Sequence, residues 1–355
     1  MESGNTNILP VKKVRESNME LLRIIAMILV MVVHANFRAL PVPTAAGIAL
    51  DPVSKFLMFL TEAVSVIAVN LFVLLSGWFG IRPRGRRLGE LLFQVLFFGL
   101  FAIGVCAALE PALLRDRVLS RLFMLGDGDY WFIKAYVGLY ILAPVLNAFV
   151  EKATKQQFKV LLIAFFTFQC IYGWLFEATR WIVSGYSLTS FIGLYLLARY
   201  IRLYPCRLWQ LNKWADAAIY AAYVVVLTVV MFIIKKNGGR GGVLYFYTCP
   251  LLIVGAVHFM LFFTKLPSFS SKVINWIAIS AFSIYLTQSS SFIACFYDKA
   301  ILGWFNTEPR GTFILYTAGL IIAVFVASIL VDKVRIVLWN LFMYPIDKIF
   351  KKNKI

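Results

Sequence analysis

Charge is scarce in this chain. Asp, Glu, Lys and Arg make up only 15% of its 355 residues, while 61% are hydrophobic. Soluble domains carry about a quarter charged residues, so a water-soluble globule is excluded. Histidine is scarcer still, with two residues, His34 and His258. The five cysteines, Cys106, Cys170, Cys206, Cys249 and Cys295, lie far apart and mostly inside apolar stretches. No C-x-x-C pair occurs, so neither a metal site nor a disulfide framework is indicated. A glycine-rich phosphate loop and a G-x-S-x-G elbow are also missing. No repeat of fixed period and no low-complexity linker divides the chain.

What is present is apolar residues in blocks of about 17 to 22, the length a membrane-spanning helix needs. The pattern predicts ten spans, at about 20–37, 63–80, 88–109, 130–150, 159–177, 183–202, 214–234, 244–264, 274–296 and 311–331. The expected fold is therefore all-α, a polytopic membrane protein. Residues 1–19 read as a polar, basic N-terminal segment, 20–331 as the membrane domain and 332–355 as a basic tail. The first apolar block lacks a small-residue cleavage site, so it reads as a retained span and not a removed signal peptide.

The formal net charge of +18 invites a nucleic-acid reading. The placement of the charge argues against one, because Lys and Arg fill short loops between apolar blocks, where they orient the chain and meet anionic headgroups. Counted on alternate sides of the ten spans, 22 fall on one side and 11 on the other. That bias puts both termini in the cytoplasm and the protein in the cytoplasmic membrane. Asp51, Asp116, Asp127, Asp129, Asp298 and Glu308 then fall outside.

The first span carries two polar residues, Arg23 and His34, eleven positions apart. Eleven residues make almost three turns, so both lie on one helix face, roughly 16 Å apart along the axis. Polar groups inside a bilayer are costly and usually functional. By orientation Arg23 sits near the inner face and His34 near the outer. Asn70, Trp131, Lys134, Tyr285 and Gln288 approach the depth of His34 from three other spans, as does Asp129 just before the fourth.

Neutral imidazole suits a general base for a hydroxyl; the plainer alternative is a packing histidine bonded to a neighbouring helix. His258 stands alone in an apolar span, where packing is the simpler reading. Arg23 can bind an anion or fix helix register, with Glu20 one turn away as its local partner. Arg82-Pro83-Arg84-Gly85-Arg86-Arg87 is a compact inner-side cluster. It either serves topology and lipid phosphates or clamps a phosphorylated ligand through bidentate bonds. Coenzyme A is a cytoplasmic ligand of that kind. Ser76-Gly77 ends the second span and gives either close helix approach or room for a thin chain. Trp131, Trp174, Trp181 and Trp304 fit an aromatic belt.

Together these residues resemble the acyltransferase-3 family of integral membrane acyltransferases. Arg23 and His34 match its Arg/Lys-x10-His pattern. Phe72-Val73-Leu74-Leu75-Ser76-Gly77-Trp78 is similar to its Phe-x-x-Ser-Gly-Phe segment, with one extra residue. Arg84-Gly85-Arg86-Arg87 fits its Arg-x-x-Arg. Trp131-Phe132 through Tyr140, Pro144 and Asn147 resembles its fourth span, and Phe191-Ile192-Gly193-Leu194-Tyr195 a later segment. Where that family often reads Ser-x-x-x-Tyr-Leu-x-His, this chain reads Ser283-Ile284-Tyr285-Leu286-Thr287-Gln288. Gln288 can hydrogen-bond there but cannot act as a base.

The resemblance implies transfer of an acyl group, acetyl in the family's bacterial O-acetyltransferases, from cytoplasmic acyl-CoA to a sugar hydroxyl of a surface polysaccharide or its lipid-linked precursor. Acetyl-CoA is then a co-substrate, with no permanently bound cofactor and no metal. The expected partners are membrane lipid and a glycan or lipid-linked saccharide, without nucleic acid. His34 is the expected base, or the carrier of an acyl relay, with Arg23 beside its path. Arg84 and Arg87, aided by Arg82 and Arg86, would grip the donor, whose arm would pass Ser76 and Gly77. Asn70, Tyr285 and Gln288 are candidate oxyanion donors, and Trp131 a candidate acceptor contact. The competing readings are a glycolipid transporter or flippase with His34 and Arg23 as pathway residues, and a non-catalytic partner in an envelope assembly.

Overall fold

A computed structural model describes residues 16–114, 130–177 and 179–352. Most of the expected N-terminal segment, and Asp116, Asp127 and Asp129, lie outside those residues. Among the described residues the regular structure is helical, with no strand. This follows from the solvent: in hydrocarbon every backbone N–H and C=O needs a partner, and an α-helix supplies all of them internally.

Helix α1 (Ser17–Val33) runs without interruption into a π-helical turn, His34–Arg38. A short α2 (Ala45–Leu50) leads to α3 (Pro52–Ser65) and α4 (Ala68–Phe79). Asp51 caps α3 by accepting from the Ser54 N–H at 3.1 Å, and Pro52 occupies its first turn. The expected second span begins at 63, but helix starts eleven residues earlier, because Asp51-Pro52 is a helix-start signal. Gly80, at φ +75°, ends α4 in a conformation that side chains rarely adopt.

The chain continues as α5 (Gly85–Leu109), α6 (Trp131–Lys152), α7 (Lys155–Phe168), α8 (Leu188–Leu203), α9 (Lys213–Lys236) and α10 (Pro250–Thr264). The ninth expected span is broken. It comprises α11 (Lys272–Ile279), α12 (Ala281–Ser289) and α13 (Ser291–Thr307), with a 77° bend at Ser290. Finally α14 (Arg310–Lys352) runs for 43 residues. At 1.5 Å per residue it is about 64 Å long, twice a hydrocarbon core of about 30 Å. It therefore does not stop at 331. Beyond that point Arg335 pairs with Asp332 (2.9 Å) and with Glu90 of α5 (3.2 Å), and Gln94 donates to Asp332 at 2.8 Å. Eight described helices are long and apolar enough to cross a membrane, and the bent pair would be a ninth. Helix α8, with 16 residues, is shorter.

Helix α4 is the hub, packed on α1, α8 and α10. Its Leu71, Val73 and Leu74 are fully buried. Gly77 sets the spacing to α8, since a Cβ there would lie 2.4 Å from the Tyr195 carbonyl oxygen. Gly255 does the same for α10 against the Tyr223 ring of α9, at 2.6 Å. Small residues at such crossings let backbones approach where lipid offers no hydrophobic drive. The outward faces of α7, α9 and α14 expose Ile163, Val225 and Leu315, as a lipid-facing surface should.

His258 is not alone. Its Nδ1 lies 2.8 Å from Asp216 Oδ1, and Lys265 pairs with the other carboxylate oxygen. Asp216 is fully buried, so the cluster fastens α9 to α10 and supports a packing role.

Candidate active site

The π-turn is where the chemistry collects. The Ala39 N–H bonds the His34 carbonyl five residues back, at 3.1 Å. Such wide turns mark functional sites in many helices. Side chains from three directions hold this one open. Tyr297 of α13 donates to the Met31 carbonyl at 3.2 Å. Asn36 donates to the Met58 carbonyl and to Glu62, both at 2.9 Å. Arg38 donates to the Gln288 carbonyl (2.9 Å), to Gln288 Oε1 (3.3 Å) and to Asp298 (2.8 Å). It thereby clamps the bend between α12 and α13.

His34 lines a cavity of about 410 Å³ with Arg38, Glu62, Phe72, Trp131, Phe132, Tyr186, Tyr247, Tyr285 and Ser289. Gln288 and Arg38 flank the imidazole. Its Nδ1 is buried and has no partner among the described residues. Aromatic rings make one wall. Trp131 stacks on Tyr247 (centroids 6.0 Å apart, 22° between planes) and lies 4.5 Å from Tyr186. Tyr130, just before α6, is held at φ +52°, which aims the start of α6 and Trp131 with it. The cavity is thus lined by an imidazole, a carboxylate, a guanidinium and flat apolar faces. That set can deprotonate a hydroxyl and stack a sugar ring.

A second constellation lies at the other end of α4. The loop before α5 is pinned by residues singled out in the sequence. Asn147 donates to the Ile81 carbonyl at 2.8 Å and accepts from the Tyr195 hydroxyl at 2.6 Å. Tyr195 in turn accepts from the Ile81 N–H at 3.2 Å. Tyr140 accepts from the Arg84 N–H (2.7 Å) and donates to its carbonyl (3.1 Å). The backbone of the Arg82–Gly85 loop is thereby fixed while Arg82, Arg84, Arg86 and Arg87 stay exposed. One face of α6 joins the two constellations through Phe132, Tyr136 and Tyr140, spaced four residues apart. Phe132 stacks on Tyr136 (5.9 Å, 12°), and Tyr136 Oη lies 3.5 Å from Ser76 Oγ.

The structure therefore brings His34, Trp131, Tyr285 and Gln288 together, and it gathers the four arginines separately. Arg23 pairs with Glu20, as the spacing predicts, and does not line the cavity. Asn70 is fully buried; its Nδ2 holds the Tyr247 carbonyl at 3.1 Å, which makes it a support for the aromatic wall. Ser76 donates to the Phe72 carbonyl at 2.9 Å. Gly77 meets α8 rather than open space, so of its two readings the close approach of helices holds.

Sequence reasoning missed Asn36 and Glu62, and it read Arg38 only as a loop charge. Glu62 was legible in principle. It is an acid within an apolar run, and a helix started at Asp51-Pro52 would have carried it into the membrane.

Neither the search of curated proteins nor that of solved structures gives a match. A family model, described as an acyltransferase domain, matches residues 16–332. That match spans nearly the whole described bundle and both constellations, and by it the chain belongs to the acyltransferase-3 family and is a multi-pass membrane acyltransferase.

Proposed function

We propose that the protein moves an acetyl group from acetyl-CoA in the cytoplasm to a hydroxyl of a sugar, on a surface polysaccharide or its lipid-linked precursor. The observation that carries this reading is His34, which lines the aromatic cavity and whose Nδ1 has no partner among the described residues. The excess of Lys and Arg on the Arg84 side supports placing that end in the cytoplasm and the His34 end outside.

In this reading the arginines of the Arg82–Arg87 loop meet the phosphorylated end of the donor. The arm reaches along the Phe132–Tyr140 face of α6, about 12 Å by helix rise, toward His34. Imidazole takes the proton of the acceptor hydroxyl. The acceptor oxygen bonds the thioester carbonyl carbon, the C–S bond breaks, and the CoA sulfur receives the proton. Gln288 Nε2, buried without a partner, and Arg38 are the donors this reading assigns to a developing oxyanion. A variant in which the imidazole itself carries the acyl group uses the same residues.

The test is protein in nanodiscs given labelled acetyl-CoA and an oligosaccharide acceptor. Label on the glycan, lost in His34→Ala, supports the reading. Movement of a lipid-linked saccharide without covalent change would instead point to a transporter.

A further inference from the structure

Arg199 and Arg202 read in the sequence as topological charges at the end of α8. The structure gives them different surroundings. Arg202 donates to the Trp78 carbonyl, lies over the Trp78 ring at 5.4 Å and has Glu16 nearby. Arg199 has no such compensation. It makes no hydrogen bond or ion pair with any other described residue, and its Nε is buried and unpartnered. A partly buried guanidinium without an acceptor is an expensive arrangement unless a ligand supplies one.

Its position says which ligand. The guanidinium sits beside Gly80, with Nη1 3.3 Å from where a Cβ at that glycine would be. Gly80 begins the stretch that leads to the Arg82–Gly85 loop. One turn back on α8, Tyr195 pins that same stretch through Ile81 and Asn147. Arg199 is thus less exposed than the loop arginines and sits where α4 gives way to their loop.

We infer that Arg199, with Arg202 beside it, is an anion seat for the diphosphate of the acyl donor. The exposed Arg84 and Arg87 are left for the outlying ribose phosphate. This rests on the acyl-CoA reading above. An anion there would pair with a charge that nothing else in the described bundle neutralises, and it would orient the arm inward.

The experiment measures binding of CoA, dephospho-CoA and pantetheine to purified full-length protein in lipid-free detergent, by calorimetry. A charge-assisted bond of about 1.5–3 kcal/mol corresponds to roughly 10- to 150-fold in affinity. Arg199→Gln is expected to weaken CoA and dephospho-CoA by the same factor in that range, with no effect on pantetheine. Arg199→Lys, which keeps charge but not the fork, should fall between Gln and wild type, and it serves as the reference if the Gln variant melts early. Unchanged CoA binding in Arg199→Gln overturns the inference while the donor reading stands. An effect confined to CoA and absent for dephospho-CoA assigns the residue to the ribose phosphate and overturns the diphosphate seat. Loss of co-purified phosphatidylglycerol by native mass spectrometry, with CoA affinity unchanged, makes it a lipid site and also overturns it. Wild-type protein that binds no CoA removes the donor reading itself.

Discussion

The side-chain amide of Asn36 donates to the carboxylate of Glu62 across 2.9 Å, joining the π-turn of the first span to α3. Both groups are buried, at 5% exposure each. Removing the amide leaves a buried acid short of a partner, which typically costs about 1–3 kcal/mol. Asn36→Ala should therefore lower the unfolding midpoint in detergent. It should also lower acyl transfer, because the turn that positions His34 loses its anchor. Asn36→Asp should be worse, since it sets two carboxylates face to face. Scanning fluorimetry beside a turnover assay checks both.

His34→Ala and His34→Gln should each reduce kcat by about 10²- to 10⁴-fold, the usual contribution of a general base. Donor affinity should not change, because the arginines that grip it lie at the far end of α6. A calorimetric CoA titration of the inactive variant separates the two effects. Full transfer by His34→Ala would remove the imidazole from the mechanism.

Asn147→Ala and Tyr140→Phe loosen the Arg82–Gly85 loop without touching a charge. Each lost hydrogen bond contributes about 1 kcal/mol. The expected result is a KM for acyl-CoA raised about fivefold, with kcat largely kept. A fall in kcat at constant KM would show that the loop does not serve donor binding.

Trp131→Ala removes the ring stacked on Tyr247 and should raise the KM for the glycan by about 10-fold, as loss of a ring contact of 0.5–1.5 kcal/mol with its buried area implies. Trp131→Phe should recover part of it. Donor KM is the internal control.

Gly77→Ala forces a methyl group to within 2.4 Å of the Tyr195 carbonyl oxygen unless α4 and α8 separate. Overpacking of that kind costs about 1–3 kcal/mol. The unfolding midpoint should fall, and the displaced Tyr195 should release Ile81, so the donor KM should rise as well.

Much of this was legible in the sequence. Hydropathy blocks place a helix in each of the ten expected segments, because the bilayer leaves the backbone few options. Arg23–Glu20 follows from local spacing. Tyr140, Asn147 and Tyr195 were visible as parts of motifs, but their common target, the loop backbone from Ile81 to Arg84, is a tertiary fact. The π-turn left no trace in spacing, since Tyr297, Asn36 and Arg38 stabilise it from distant helices. The bend at Ser290 falls in the polar run Thr287-Gln288-Ser289-Ser290-Ser291, across which the expected span 274–296 runs as one helix. Glu62 was lost to a boundary drawn eleven residues too late.

The π-turn also makes the first span a helix with two registers. Between Arg23 and His34 each residue advances about 100° around the axis, so the ten intervening positions are a ruler in α-helical units. From His34 to Arg38 that ruler no longer applies, because the wider turn holds one residue more than an α-turn. Deleting a single residue there would restore regular winding, and because five residues of a π-turn and four of an α-turn each complete about one turn, the helix beyond would keep nearly its own orientation. The side chains inside the turn would shift, Asn36 relative to Glu62 among them, although the motif upstream would read unchanged. Two chains can thus share the same Arg-x10-His spacing and differ in whether the imidazole is held for use.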